Sequence, residues 1–479
     1  MKRSITKNYL YNLAYQILVL ILPLITTPYI SRVLGAENIG IYSYTLSISA
    51  YFILFGSLGI SLYGQREIAY NQGKKNKCSI IFWEIIILRT ITMLISLILY
   101  YFIFVNGQQY QIYYKILTLE LIANCLDISW FFQGIEEFKK TVLRNMVVKL
   151  ISIISIFMLV KKERDLYIYF FIYVFSLLIG NLSLWLYLPK YLVKVKIKRL
   201  HIKRHLKPTL ELFIPQIAVQ VYTVLDRTMI GTIISDKSEV GFYDQSQKII
   251  KILLTVITSL GTVMMPRIAS NFSSGEKERI NEYMKKSFNM VFLLAFPMIF
   301  GIIAVSEAFV PIFFGDGYNK VASLMNVISP IILLIGLSNV TGAQYLLPTK
   351  RQKEYTISVI IGAITNFTMN ACLIWKFGAI GASIGTVIAE LMVTIVQIYF
   401  TRNDFNFRKI IKMSKNYILS SIVMFIVCIF IKGKIENDLI SIGVQVTIGM
   451  GTYVICLMLL KDKFIFEMIN KFAKRIGKD

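Results

Sequence analysis

The stretch PLITTPYISRVLGAENIGIYSY, Pro23 to Tyr44, decides how the rest of the chain is read. It ends an apolar helix interrupted by Pro23 and Pro28. A short polar turn follows, carrying Arg32, Gly35 and Gly40, and a second helix begins near Tyr42. About two hundred residues later an echo stands at Arg227, Gly231, Gly241 and Tyr243, again behind a helical proline, Pro215. The spacing inside the echo is looser. Proline-interrupted apolar segments at matching positions of two halves are a sign of a transporter built from repeats.

Composition agrees. The chain has 479 residues, is 56% hydrophobic and has a mean hydropathy of +0.62, with only 16% charged residues. Soluble domains carry about 25%. The charges sit in islands, and the apolar runs between them reach the roughly 20 residues needed to cross a bilayer core. We predict an all-α polytopic membrane protein of about 14 transmembrane helices, near 9–33, 39–63, 79–105, 110–134, 141–160, 166–188, 209–234, 241–267, 284–306, 321–346, 354–375, 378–402, 416–432 and 438–461. The first two are close enough to form a hairpin. The basic N-terminus lacks a small-residue cleavage pattern after its apolar run, so that run reads as a span and not as a signal peptide.

Lys and Arg number 52 against 27 acidic residues, a net charge of +25. Of these, 35 fall in loops on one side and nine on the other. Basic residues are retained on the cytoplasmic side, which places both termini inside. The excess therefore speaks for orientation and contact with anionic lipid, not for nucleic acid. The largest basic loop, 189–208, separates a six-helix bundle at 1–188 from a second at 209–402, and 403–479 adds two helices and a basic tail. His201 and His205 in that loop share a helical face, but no carboxylate or cysteine cluster joins them, so no metal site is read there. The five cysteines form no C-x-x-C pair, which implies neither disulfide framework nor zinc.

Charges within spans are costly and must face the protein interior or a wet cavity. Arg89, Arg144, Lys149, Arg227, Lys248 and Lys251 are the candidate cavity cations for a phosphate, which an Arg guanidinium can hold bidentately. Arg144 and Lys149, five apart, are expected to point in different directions. Asp244, Lys248 and Lys251 lie on one helical stripe. Asp226, Asp244 and Glu390 are the candidate charge partners or coupling groups. Pro23, Pro28 and Pro215 are candidate bends, and Arg32, near the external surface by the charge count, is a candidate gate or interfacial anchor. No nucleotide-binding G-x-x-x-x-G-K-[ST] loop occurs, so direct ATP use is not expected. No G-x-S-x-G or H-E-x-x-H occurs either, and an enzyme such as a glycan polymerase would need a larger external loop than this chain has.

Several stretches carry a family resemblance: Ser31-Arg32-Val33-Leu34-Gly35, Gly40-Ile41-Tyr42, Gln65-Arg66-Glu67-Ile68-Ala69, Asp127-Ile128-Ser129-Trp130-Phe131-Phe132-Gln133-Gly134, Leu225-Asp226-Arg227, Pro266-Arg267, Gly315-Asp316-Gly317-Tyr318 and Phe377-Gly378-Ala379-Ile380-Gly381-Ala382. Their order resembles bacterial polysaccharide-transport (Wzx-type) flippases of the multidrug/oligosaccharidyl-lipid/polysaccharide exporter superfamily. The resemblance implies an N-lobe and a C-lobe forming a V-shaped central cavity. It also implies transport, by alternating access, of undecaprenyl-diphosphate-linked oligosaccharide repeat units for capsule or exopolysaccharide, with H+ or Na+ as coupling ion and no other cofactor. Partners would be the lipid-linked oligosaccharide, anionic lipids and a polysaccharide polymerase. A lipid II flippase and a cation-coupled multidrug exporter of the same fold are the alternatives. The embedded cations speak against an exporter of cationic drugs.

Overall fold

The computed structural model describes residues 5–107, 109–196, 198 and 200–467; at 5–17, 20, 138, 214, 215, 218, 219, 221 and 222 it describes the backbone alone. The side chain of Pro215 and most of the basic N-terminus and tail therefore lie outside the described residues. Every described element is helical. Among the described residues, twelve helices are long and apolar enough to cross a membrane. The first of these runs from Ile21 to Tyr70 and is broken at Gly35; counting its two halves and adding the 28-residue helix Leu206–Ile233 gives fourteen. The protein is thus a multi-pass membrane protein of the predicted class.

Contacts divide the chain at Gly241, into residues 1–241 and 242–479. The sequence had suggested a division in the 189–208 loop and a separate C-terminal addition. The first unit contains α1 (Ile5–Ser57), α2 (Ile60–Tyr70), α3 (Lys75–Tyr100), α4 (Gln111–Cys125), α5 (Ser129–Gly134), α6 (Phe138–Leu159), α7 (Leu166–Trp185) and α8 (Leu206–Ile233). α8 belongs here because it packs along α1 and α2.

α1 is continuous through Pro23 and Pro28 and leaves helical geometry at Gly35, where φ is 75°. That backbone state favours glycine, so the turn between the first two spans is written at Gly35. Beyond it the helix meets α8 and the residues after it at near backbone contact. A Cβ on Gly40 would lie 1.7 Å from the Lys237 carbonyl oxygen, and one on Gly241 would lie 2.1 Å from that of Ala36. The two glycine-bearing stretches that echo each other in sequence are therefore packed on each other in space. Lys237 secures the turn: buried, it donates to the carbonyls of Gly231 (2.6 Å) and Ile234 (3.0 Å) at the end of α8, where a cation offsets the helix dipole. Burial pushes its ammonium group below the usual lysine range.

The 189–208 loop is also fixed. Glu84 of α3, fully buried, accepts from the His201 backbone N–H (2.6 Å) and from Arg204, and lies 2.8 Å from His205 Nε2. The Tyr63 hydroxyl lies 2.7 Å from His205 Nδ1. His205 is thus held between Glu84 and Tyr63 where α8 begins. Removing one partner of a buried ionic cluster costs about 3–5 kcal/mol. Glu84→Ala is accordingly expected to lower the unfolding temperature of the detergent-purified protein clearly, whereas Glu282→Ala, an exposed i,i+4 pair, shifts it little.

The second unit contains α9 from Phe242 onward (the whole helix is Ser238–Ser273), α10 (Lys277–Phe314), α11 (Asn319–Ile328), α12 (Ile331–Ser338), α13 (Gln352–Phe377), α14 (Ala379–Thr401), α15 (Phe407–Ile431) and α16 (Asp438–Leu459). A sharp turn at Gly378 folds α13 onto α14, and buried Gln397 donates to Ser358 and accepts from Thr341. α15 and α16 pack on α10, where the Tyr453 hydroxyl donates to the Leu293 carbonyl (2.9 Å). They are integral to this unit. α10 also runs to Phe314, beyond the span near 284–306 that the sequence predicts.

Candidate functional site

The site is built around an interruption in the fourth span. α4 ends at Cys125 and α5 begins at Ser129. A helix end inside a bilayer leaves carbonyls that water cannot satisfy. Three side chains take them. Asn181 donates to the Ala123 carbonyl (2.7 Å), Trp185 to that of Leu126 (2.8 Å) and Arg89 to that of Asp127 (3.1 Å). The Asp127 carboxylate accepts the Ser129 N–H (2.9 Å) where α5 begins.

Asp127 lines a cavity of about 630 Å³ inside the first unit. Its walls are α1 (Pro23, Thr26, Tyr42), the α4–α5 break (Asn124, Asp127, Gln133), α6 (Arg144, Asn145, Lys149, Ser152) and α7 (Tyr169, Tyr173, Asn181). The volume falls within the roughly 300–1,000 Å³ of ligand sites. Arg144 donates through Nη1 to Asn181 Oδ1 (2.9 Å), and its Nε is buried without a hydrogen-bond partner. Tyr42 packs against Tyr169 (ring centroids 4.7 Å apart) and edge-on to Tyr173 (5.9 Å). Tyr173 donates to Glu120 (2.8 Å), which also accepts from Ser49 (2.8 Å).

Of the residues singled out by sequence, Pro23, Arg144 and Lys149 meet in this cavity. Arg144 and Lys149 both line the cavity, although five residues apart on α6. The cavity follows a stripe of α6 through Asn145, Val148, Ser152 and Ile156, and these two long side chains flank that stripe from either edge. Arg89 is buried behind the wall as a carbonyl cap. Arg32 is exposed, its Nη1 3.5 Å from the Pro28 carbonyl oxygen. Arg227 is half-buried and Asp226 buried in α8, and neither lines this cavity. In the second unit Asp244 pairs with Lys248 at 3.0 Å, Lys251 is exposed and Glu390 is buried in α14. Sequence reading gave no role to Asn181 or to the tyrosine wall, because an amide or a tyrosine within an apolar run carries no mark of its neighbours. A motif did point at the break: Asp127 to Gly134 is one of the stretches that carry the resemblance.

Chemically, the cavity offers two cations on one wall, four amides, one carboxylate and three tyrosine faces. That set suits an anionic group joined to a polar, ring-bearing one.

A family model described as "Polysaccharide biosynthesis protein" matches residues 5–272, more than half of the chain. The chain belongs to that family. A second model, MatE, matches residues 212–372, which places this polysaccharide transporter family member in the wider exporter superfamily. A protein of Escherichia coli (strain K12) whose name makes it a candidate O-antigen transporter is 28% identical over 410 residues, covering 84% of this chain and 98% of its own. Among solved structures, a lipid II flippase MurJ in an inward closed conformation aligns with a TM-score of 0.78 at 16% identity, covering 95% of this chain and all of its own. An inward-facing multidrug resistance MATE family transporter aligns at 0.62 with 12% identity, covering 80% and 94%. At such identities these two show the fold that the family member shares with them.

Proposed function

We propose that this family member is a flippase that carries a lipid-linked oligosaccharide repeat unit, joined through a diphosphate to a polyprenyl lipid, from the inner to the outer leaflet of a bacterial cytoplasmic membrane. The observation that carries the reading is the convergence of Arg144 and Lys149 with the amides of Asn124, Gln133, Asn145 and Asn181 in one membrane-embedded cavity. Phosphate needs charge-assisted donors, sugar hydroxyls need amides that both donate and accept, and sugar rings pack on tyrosine faces. The lipid tail needs nothing from the protein, since it stays in the bilayer. Both termini are taken as cytoplasmic, the repeat unit as one for capsule or exopolysaccharide, and the partner on the far side as a polymerase. Exposure of the site to each face in turn, coupled to H+ or Na+, completes the cycle.

Removing the protein tests the reading. A sugar repeat unit on its lipid carrier is expected to accumulate in the inner leaflet while surface polymer falls. Accumulation of the peptidoglycan precursor instead would make it a lipid II flippase. Polymer synthesis in vitro by the purified protein alone would make it an enzyme.

A further inference from the structure

We propose that Glu120 is a proton-binding site that communicates with the cavity through the Tyr173 hydroxyl, so that protonation of this carboxylate is tied to what the cavity holds. The proposal rests on the transport reading above and names its coupling group. The sequence had pointed instead to Asp226, Asp244 and Glu390.

Glu120 lies within α4, a turn and a half before that helix ends at Cys125. It is 5% exposed. Its partners come from two other helices, Ser49 of α1 on Oε2 and Tyr173 of α7 on Oε1, each at 2.8 Å. The titratable groups that face it are tyrosines: Tyr42 of α1, Tyr100 of α3 and Tyr173 of α7. Lys115 on its own helix is exposed. Among the described residues no Lys, Arg or His pairs with it. Glu84 and Asp244, by contrast, each hold a basic partner.

An ionised carboxylate within a span without a counter-ion is costly, and a proton is the smallest ligand that removes the charge. The surround accommodates both states. Ser and Tyr hydroxyls donate to the carboxylate, and after rotation they accept from the carboxylic acid. A backbone N–H in their place could serve only the first. The proton added to Glu120 comes from cavity water across Tyr173, whose side chain lines the cavity on one side and bonds Glu120 on the other. Because Tyr173 packs edge-on to Tyr42, cargo that displaces either ring also strains the Tyr173–Glu120 bond.

The test uses the full chain reconstituted in liposomes. Infrared difference spectra between acid and alkaline buffer should show a protonated-carboxyl band that Glu120→Gln removes and that Ser49→Ala moves along the pH axis. A pH gradient should change wild-type transport of lipid-linked oligosaccharide by up to about tenfold per unit, and Glu120→Gln should lose that response. A band unchanged in Glu120→Gln, or a full gradient response in that variant, overturns the proposal. Absence of wild-type transport at any gradient would instead overturn the transport reading, and the infrared result would still decide whether Glu120 takes up the proton.

Discussion

Replacing Arg144 and Lys149 together by Gln is expected to abolish export of lipid-linked oligosaccharide at normal membrane levels of the protein. The two side chains flank the same stripe of α6 and reach the same cavity. A hydrogen bond to a charged group contributes about 1.5–3 kcal/mol. Losing two such contacts to a diphosphate therefore costs cargo binding a hundredfold or more, since about 1.4 kcal/mol is a factor of ten. Only a small part of α6 is buried, so the fold should survive. Arg144→Lys should recover part of the export because it restores charge without the planar fork. Measured surface polymer, with protein level and thermal unfolding as controls, decides the matter. Normal polymer from the double variant would remove this cavity from the transport path.

Gly40→Val is expected to be the most damaging single change. Its Cβ would fall 1.7 Å from the Lys237 carbonyl oxygen, an overlap with backbone that no rotamer relieves. Inserting atoms into a packed contact costs about 1–3 kcal/mol and sometimes more. Here it would push α1 beyond Gly35 away from the end of α8 and the buried Lys237. Transport should drop at least tenfold, and cysteines placed at Ser47 and Thr228, whose hydroxyls lie 2.8 Å apart between α1 and α8, should no longer cross-link. Gly443→Val is the matched control, because nothing lies near its missing Cβ; it should leave both readouts near normal. Cross-linking that persists in Gly40→Val would show that α1 and the α8–α9 turn yield more easily than their contact implies.

The resemblance to the family lay in motifs whose partners were hidden. Gln65 to Ala69 and Asp127 to Gly134 read as two short matches. In space Gly134 packs against Gln65 and Ile68, and Trp130 against Gly64. The helical class and the number of spans were legible because lipid demands long apolar runs and an internally satisfied backbone, and both leave their mark in composition. The turn at Gly35 was legible as a glycine between two runs. The roles of single charges were not. Arg89 and Arg144 look alike as arginines inside spans, yet one caps a broken helix and the other lines the cavity.

The sequence by itself determined a multi-pass helical protein with interrupted first spans and cations embedded among apolar residues, because local runs and periods encode those features. Only the tertiary structure decided which cations meet, that α8 packs with the first unit, and that Glu84 anchors the 189–208 loop. It alone revealed Glu120 as a carboxylate held between hydroxyls. Each of these depends on contacts between residues tens to hundreds of positions apart, such as Ser49 with Glu120 and Glu84 with His205, and one-dimensional periodicity carries no record of which helix faces which.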